Sequence, residues 1–170
     1  MTLRLQPVDT QDLPAMYALL VLCGEHMHRT LSLSHWHPFR PYDIFLKQID
    51  VNEVYAIYSD EVLAGTFALN AQPRPYYQAQ MWAQPEAKAL YFGLFGVLPS
   101  FQKQGIGHWA MQQADALAQE KGSAALRFDA VAHHPKLLKF YDGLGYERRG
   151  VLSFPQYSDA VCYERVFEDL

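Results

Sequence analysis

Gln102-Lys103-Gln104-Gly105-Ile106-Gly107-His108 is the stretch of this sequence best suited to hold an anion. It follows an apolar run, Leu90 to Val97, across a Leu98-Pro99-Ser100-Phe101 spacer, and leads into a segment with helical periodicity. Amides in the first turn of a helix have no intrahelical acceptor, and the positive end of the helix dipole adds to their pull on negative charge. Glycine lets a phosphate approach the main chain with no side chain between. The chemistry in view is phosphate binding, and the question is which phosphate-bearing compound is bound.

Two nucleotide grips fit poorly. A P-loop requires Lys-Ser or Lys-Thr directly after its last glycine, whereas His108-Trp109 follows here. Gly105-Ile106-Gly107-His108-Trp109-Ala110 matches the dinucleotide pattern G-x-G-x-x-A, and Asp129 stands near the distance expected of a ribose contact. In that fold, however, the first glycine follows its strand almost at once. Here Leu98 to Gln104 intervene, and the tail from Ala130 to Leu170 is too short for the rest of a doubly wound sheet. A nicotinamide-dependent dehydrogenase remains the competing enzyme class, separable by whether NAD protects the fold from heat.

The elements that must position this loop can be read from hydrophobic spacing. Leu3, Leu5 and Val8 predict a first strand, and Asp9 to Asp12 a turn and N-cap for a helix over Leu13 to Leu22. Glu25 to Arg40 reads as an atypical stretch holding four histidines and Trp36, followed by a second helix over Pro41 to Ile49. Val54 to Tyr58 and Val62 to Leu69 flank Ser59-Asp60-Glu61 as a hairpin. Ala71 to Lys88 is a loop long enough to suggest a functional role. Leu90 to Val97 has the apolar character of a central strand. Beyond the glycine loop, Ile106, Ala110, Ala114, Leu117 and Ala118 share one helix face that ends at Gly122. Ala124 to Val131 is a strand, and Pro135 opens a helix with Leu137, Leu138, Tyr141 and Leu144 inward and Gly145 at C′. Two more strands lie around Gly150 to Phe154 and Ala160 to Phe167. The pattern predicts one α+β domain over 1–170.

Composition limits the function classes. The 170 residues are half apolar and 14% aromatic, enough for a buried core. With 14 basic and 18 acidic residues the net charge is −4, which supplies no footprint for nucleic acid and no basic segment for a membrane surface. The longest apolar run, Ala15 to Cys23, is too short to span a bilayer, and the N-terminus lacks the apolar core of a signal peptide. Cys23 and Cys162 fit no metal or redox spacing and read as buried apolar residues in a reducing compartment. The expectation is a cytoplasmic protein.

A third phosphate grip fits better. Val97-Leu98-Pro99 followed by Gln102-Lys103-Gln104-Gly105-Ile106-Gly107 resembles the acetyl-CoA loop of GNAT superfamily N-acetyltransferases, (Arg/Gln)-x-x-Gly-x-(Gly/Ala) after a strand ending Val-x-Pro. Asp129 to Tyr146, with Tyr141-Asp-Gly-Leu-Gly-Tyr146, resembles the strand and helix that follow in that family. The Trp36-x-Pro38 region, the Asp60-Glu61 hairpin and the late Cys-Tyr-Glu-Arg strand are similar to one bacterial branch, so the resemblance runs along essentially the whole chain.

The resemblance implies a mixed, mostly antiparallel sheet of about six to seven strands with helices on both faces, its central strands splayed to admit CoA. It implies acetyl-CoA as cosubstrate, its pyrophosphate on the amides of Gln104, Gly105, Ile106, Gly107 and His108. Gln102 would shape the turn, and Lys103 would be available to a phosphate. The pantetheine arm would lie along Phe95, Gly96 and Val97 as an added strand, with one N–H there polarising the thioester carbonyl. Tyr141 stands at the family's tyrosine position as general acid for the departing thiolate. His134 occupies the place of the usual pantetheine-binding Asn, and Gly93 and Leu94 stand where many relatives carry ionisable groups, so no general base is visible on that strand.

Among acceptor residues, His26, His28, His35 and His37 lie outside ordinary zinc spacing and have no partner Cys cluster, so no metal is expected. Trp36, Tyr76 and Tyr77, with His35, His37 and Trp82, could line an aromatic wall that holds an amine by cation–π contact. The acceptor that the resemblance implies is a small-molecule or peptide amine. A catalytically degenerate acyl-CoA-binding or regulatory domain is the alternative, and homodimerisation stays open.

Overall fold

The computed structural model describes residues 1–168. Strands β1 (Leu3–Pro7), β2 (Val54–Ser59), β3 (Val62–Asn70), β4 (Ala89–Val97), β5 (Ala125–Val131), β6 (Glu147–Leu152) and β7 (Ala160–Val166) form one sheet in the order β1-β2-β3-β4-β5-β7-β6. Four helices accompany it: α1 (Leu13–Leu31), α2 (Tyr42–Gln48), α3 (Ile106–Glu120) and α4 (Pro135–Gly143). The β1/β2, β2/β3, β5/β7 and β6/β7 pairs are antiparallel and β4/β5 is parallel, giving the mixed, mostly antiparallel sheet that the resemblance implies. By contact the chain falls into two compact units. One comprises Met1–Ala68 with Leu94–Met111, the other Leu69–Gly93 with Gln112 onward.

In the first unit, Asp9 caps a single 3-10 turn through a reciprocal capping box with Asp12, and α1 starts directly after it. Its apolar positions Leu13 and Met16 pack with Val8, Val54, Ala56 and Ala68. Contrary to the expected end near Leu22, α1 continues to Leu31 and stops where Ser32 turns left-handed at φ 55°. Gly24 and the histidines after it look like loop residues in sequence. The glycine is there because a Cβ on it would stand 2.1 Å from the Trp36 carbonyl oxygen, so the main chain at Trp36 crosses the helix at this point. The β2–β3 hairpin turns at Asp60 and Glu61, both with positive φ (46° and 68°), the twist that suits a two-residue hairpin turn.

The second unit has an apolar cluster of Trp82, Ala89, Tyr91, Ala125, Leu152, Ala160 and Cys162. Within it lies a buried ionic network. Arg127 on β5 and Glu164 on β7 are 1% and 0% exposed and pair through Nε and Oε2 at 2.7 Å. Arg127 also donates to the Tyr91 hydroxyl at 3.3 Å and to the Gln84 carbonyl at 2.8 Å, and its guanidinium lies 5.0 Å from the centre of the Trp82 ring. Glu164 accepts further from the Ala83 amide at 3.0 Å and from Arg149 at 2.8 Å. Charges taken out of water persist only when each is paired and hydrogen-bonded. Here the network draws on four strands, through Tyr91, Arg127, Arg149 and Glu164, and on the 82–84 segment, so it ties down the end of the long 71–88 loop. Trp82, expected in the acceptor wall, is instead 4% exposed and part of this core. Its indole covers a cation of the protein itself.

Candidate functional site

After β4 ends at Val97, Pro99–Phe101 form one 3-10 turn and Gln102 returns to extended backbone. Lys103 and Gly105 then take positive φ, 61° and 83°. A Cβ on Gly105 would meet nothing within 4 Å, so the glycine answers to backbone conformation, and that face of the loop is open. Gln102 to Gly105 are exposed while Ile106 is buried, which anchors the helix start beneath an accessible loop. The helix ladder begins with the Trp109 amide donating to Gly105 at 3.1 Å, so the amides of Ile106 and Gly107 precede that ladder. Two side chains brace the turn: Gln102 Nε2 donates to the Val97 carbonyl at 3.0 Å, and Gln104 Nε2 to the Ser100 carbonyl at 3.2 Å.

Strand β4 departs from regular pleating at Leu94, whose φ is +49°. A leucine in the left-handed region costs about 1–2 kcal/mol. Its side chain packs against the Val8–Met16 cluster, which supplies a compensating burial. The β4–β5 ladder joins Ala89–Tyr91 to Ala125–Arg127, three residues each from strands of nine and seven. Phe95, Gly96 and Val97 follow the Leu94 turn. Gly96 is buried, with Cys23 Sγ 3.2 Å from where its Cβ would be. The Cys23 thiol, pushed up to about 12 by burial, donates to the Val97 carbonyl at 3.5 Å. With Gln102 on the same oxygen, the Val97 carbonyl already accepts two hydrogen bonds.

In the second unit, Tyr141 on α4 is buried with its ring 4.7 Å from Phe128 and 5.4 Å from Tyr163. Its neighbours commit their hydroxyls to carboxylates, Tyr146 to Asp115 at 3.0 Å and Tyr163 to Asp142 at 3.1 Å. Burial first, then Tyr163 and Asp129, raise the Tyr141 phenol above its ordinary range, so it keeps its proton at neutral pH. His134 is the N-cap of α4, its Nδ1 accepting from the Leu137 amide at 3.4 Å ahead of Pro135. Burial and Lys136 lower its pKa. A neutral ring that accepts at Nδ1 carries its proton on Nε2 and is a donor there.

Tyr76 and Tyr77 stand edge to face at 5.3 Å, and Tyr76 meets Phe154 at 5.1 Å. The Tyr77 hydroxyl donates to Asp129 Oδ2 at 2.5 Å. Burial raises the Asp129 carboxyl, while the Tyr77 bond and the Arg74 charge pull it back. Trp36 belongs to the other unit, where it packs against Gly24 and meets Phe39 edge-on at 5.8 Å. His28 and His37 stack at 4.1 Å, and among the described residues no group of three or more His, Cys, Asp or Glu could hold a metal ion. Nor is any helix among them long and apolar enough to cross a membrane. The pairing of Asp129 with Tyr77 and Arg74 escaped the sequence reading, because Asp129 drew notice only as a ribose contact. The local signal was a lone acid in a strand whose only other charge is Arg127.

The acetyltransferase (GNAT) family profile matches residues 13–146, a span that contains the loop, β4, β5 and α4. The chain belongs to the GNAT acetyltransferase family. The ribosomal-protein-S18-alanine N-acetyltransferase of Escherichia coli shares the fold with a TM-score of 0.71 at 15% identity, over 99% of this chain and 96% of that one. A GNAT family acetyltransferase of Streptococcus agalactiae does so at 0.78 and 13%, over 98% and 96%. The ribosomal L7/L12 alpha-N-protein acetyltransferase RimL, solved in complex with coenzyme A, does so at 0.70 and 18%, over 98% and 94%. No curated protein matches the sequence. Family membership indicates an acyltransferase, while similarity at these identities speaks for the fold alone.

Proposed function

We propose that the chain is one N-acetyltransferase domain that moves an acetyl group from acetyl-CoA to a primary amine by direct attack. The observation that carries this reading is the loop conformation in a GNAT chain. Positive φ at Lys103 and Gly105, with a helix ladder that starts only at Trp109, sets a turn of amides around an open face. Acetyl-CoA supplies the acetyl group as an activated thioester. Gln104, Gly105, Ile106 and Gly107 would hold its pyrophosphate by main-chain N–H groups, with His108 at the same helix start and Lys103 as a screened countercharge. Gln102 fixes the turn from behind.

Phe95, Gly96 and Val97 would lie along the pantetheine arm. The Phe95 or Val97 N–H is the donor for a carbonyl oxygen that gains charge. His134 would offer Nε2–H where relatives offer an amide. The acceptor attacks as the neutral amine, its surplus protons leaving to water, and Tyr141 gives its proton to the departing sulfur and is reprotonated from water. On the acceptor side the second unit offers Tyr76 and Tyr77. Two of the similar structures are of enzymes named for ribosomal protein substrates. At 15% and 18% identity that does not choose an acceptor here.

Thiol release from acetyl-CoA across amines, amino acids, polyamines and peptides tests the reading, with acetyl-CoA binding measured alongside. Release that depends on one class of amine is expected. Tight binding with no release above hydrolysis would favour the acyl-CoA-binding module instead, a reading to which Gly93 and Leu94 in place of ionisable residues lend weight.

A further inference from the structure

Strand β4 carries Gly93 where an ionisable group would be useful, and the structure shows what fills the space. A Cβ on Gly93 would stand 2.6 Å from Nη2 of Arg74 and 3.9 Å from Oδ1 of Asn70. The guanidinium therefore lies against the strand because the residue beneath it has no side chain. Arg74 belongs to the 71–88 loop, whose far end is tied down through Gln84 and Ala83 to the Arg127–Glu164 pair. Among the described residues no carboxylate lies within 4 Å of it. Asp129 is close enough to feel its charge, yet its Oδ2 is bonded to the Tyr77 hydroxyl. Arg74, Tyr77 and Asp129 are each partly exposed. Tyr77 joins the two residues, its amide donating to the Arg74 carbonyl at 3.1 Å and its hydroxyl to Asp129 at 2.5 Å, beside the rings of Tyr76 and Phe154.

We infer that Arg74 and Asp129 select an acceptor that is itself a zwitterion, an amino acid whose carboxylate meets the Arg74 guanidinium and whose ammonium is received at Asp129 before it loses a proton to water and attacks as the neutral amine. The inference rests on the transferase reading above and names its substrate class. A guanidinium matches a carboxylate with two parallel hydrogen bonds, whereas an amide or a bare alkylamine offers it no charge. Asp129 is held by Tyr77 so that its charge faces a fixed place, and it would be wasted on an acceptor without a cation. Polyamines, which bring cations alone, would leave Arg74 opposed by like charge.

The probes are L-alanine and L-phenylalanine, each with its carboxamide, and phenethylamine, followed by thiol release from acetyl-CoA. In the wild-type protein the free acids are expected to exceed their amides by about 10- to 100-fold in kcat/KM, the range of a charged hydrogen-bonded pair. That order would hold although the amides are the more readily deprotonated amines. In Arg74→Gln the ratio of acid to amide falls to about 1, with the KM for acetyl-CoA unchanged. Arg74→Lys recovers part of it, and Gly93→Ala, which displaces the guanidinium, lowers it in the same way. A fold defect would depress acid and amide together and leave the ratio standing, so an unchanged ratio in Arg74→Gln overturns the assignment. So does a wild-type protein that prefers the amides, which would point to peptide N-termini, or one that prefers phenethylamine. Absence of thiol release with every amine, while acetyl-CoA still binds, overturns the transferase reading, and this assignment with it.

Discussion

Replacing Tyr141 with phenylalanine is expected to lower kcat by about 100-fold or more while leaving acetyl-CoA affinity unchanged, the range over which a positioned proton donor acts. The substitution isolates the hydroxyl. The ring makes its contacts with Phe128 and Tyr163 through its faces and edge, and phenylalanine keeps them. Thermal stability should therefore stay close to that of the parent protein. Because burial lifts the phenol above its ordinary value of about 10, loss of activity through its ionisation should set in only at higher pH. Stopped-flow turnover with any accepted amine, next to a binding isotherm for acetyl-CoA, decides the matter. Equal kcat in the two proteins would remove Tyr141 from the chemistry.

Arg127→Met should be the most destabilising single substitution in the second unit, costing about 3–5 kcal/mol, because it leaves Glu164 charged and fully buried. For a chain of this length that is a fall in Tm of about 10 °C. Arg149 stays on the other oxygen of Glu164, but it is itself partly exposed and cannot replace a guanidinium that also holds Tyr91 and the Gln84 carbonyl. Adding Glu164→Gln to Arg127→Met should return part of the loss, since the orphaned charge goes with it. Chemical denaturation of the single and double variants measures both. A double variant less stable than Arg127→Met by the full cost of a second independent defect would mean that the two residues act separately. The same variants should loosen the 71–88 loop, read by faster proteolysis there.

The strands and helices that position the glycine loop were legible because their spacing is strong. Ile106, Ala110, Ala114 and Ala118 are buried along α3 as their helical spacing predicts, with Leu117 only partly covered. Pro135 and Gly145 bracket α4 as expected. Three features were not legible, each for a physical reason. The length of α1 was missed because Gly24 and the histidines after it mimic a loop. The glycine answers to the Trp36 carbonyl, a contact that local sequence does not encode. Trp82 was placed in an acceptor wall because an indole in a Pro- and Gln-rich loop suggests ligand contact. Its actual partner, Arg127, is far along the chain and gave no sign of burial, since a strand arginine normally points to solvent. The turn of β4 at Leu94 left no trace, because leucine is a poor residue for positive φ and is held there by tertiary packing. On the site itself, the motif residues could be read as a loop and a tyrosine. The Arg74–Gly93 arrangement could not, since an absent side chain announces neither its neighbour nor its charge.

The most direct test of the central claim is calorimetric titration of the protein with acetyl-CoA and, separately, with NAD, repeated on Gly105→Val. At φ 83° a β-branched residue is strongly disfavoured, so the variant must rebuild the turn that presents the amides. Acetyl-CoA binding to the parent, at least tenfold weaker in Gly105→Val, with no heat from NAD in either, is the predicted result. NAD binding in place of acetyl-CoA, or equal acetyl-CoA affinity in the two proteins, would contradict the assignment of this loop as the CoA pyrophosphate site.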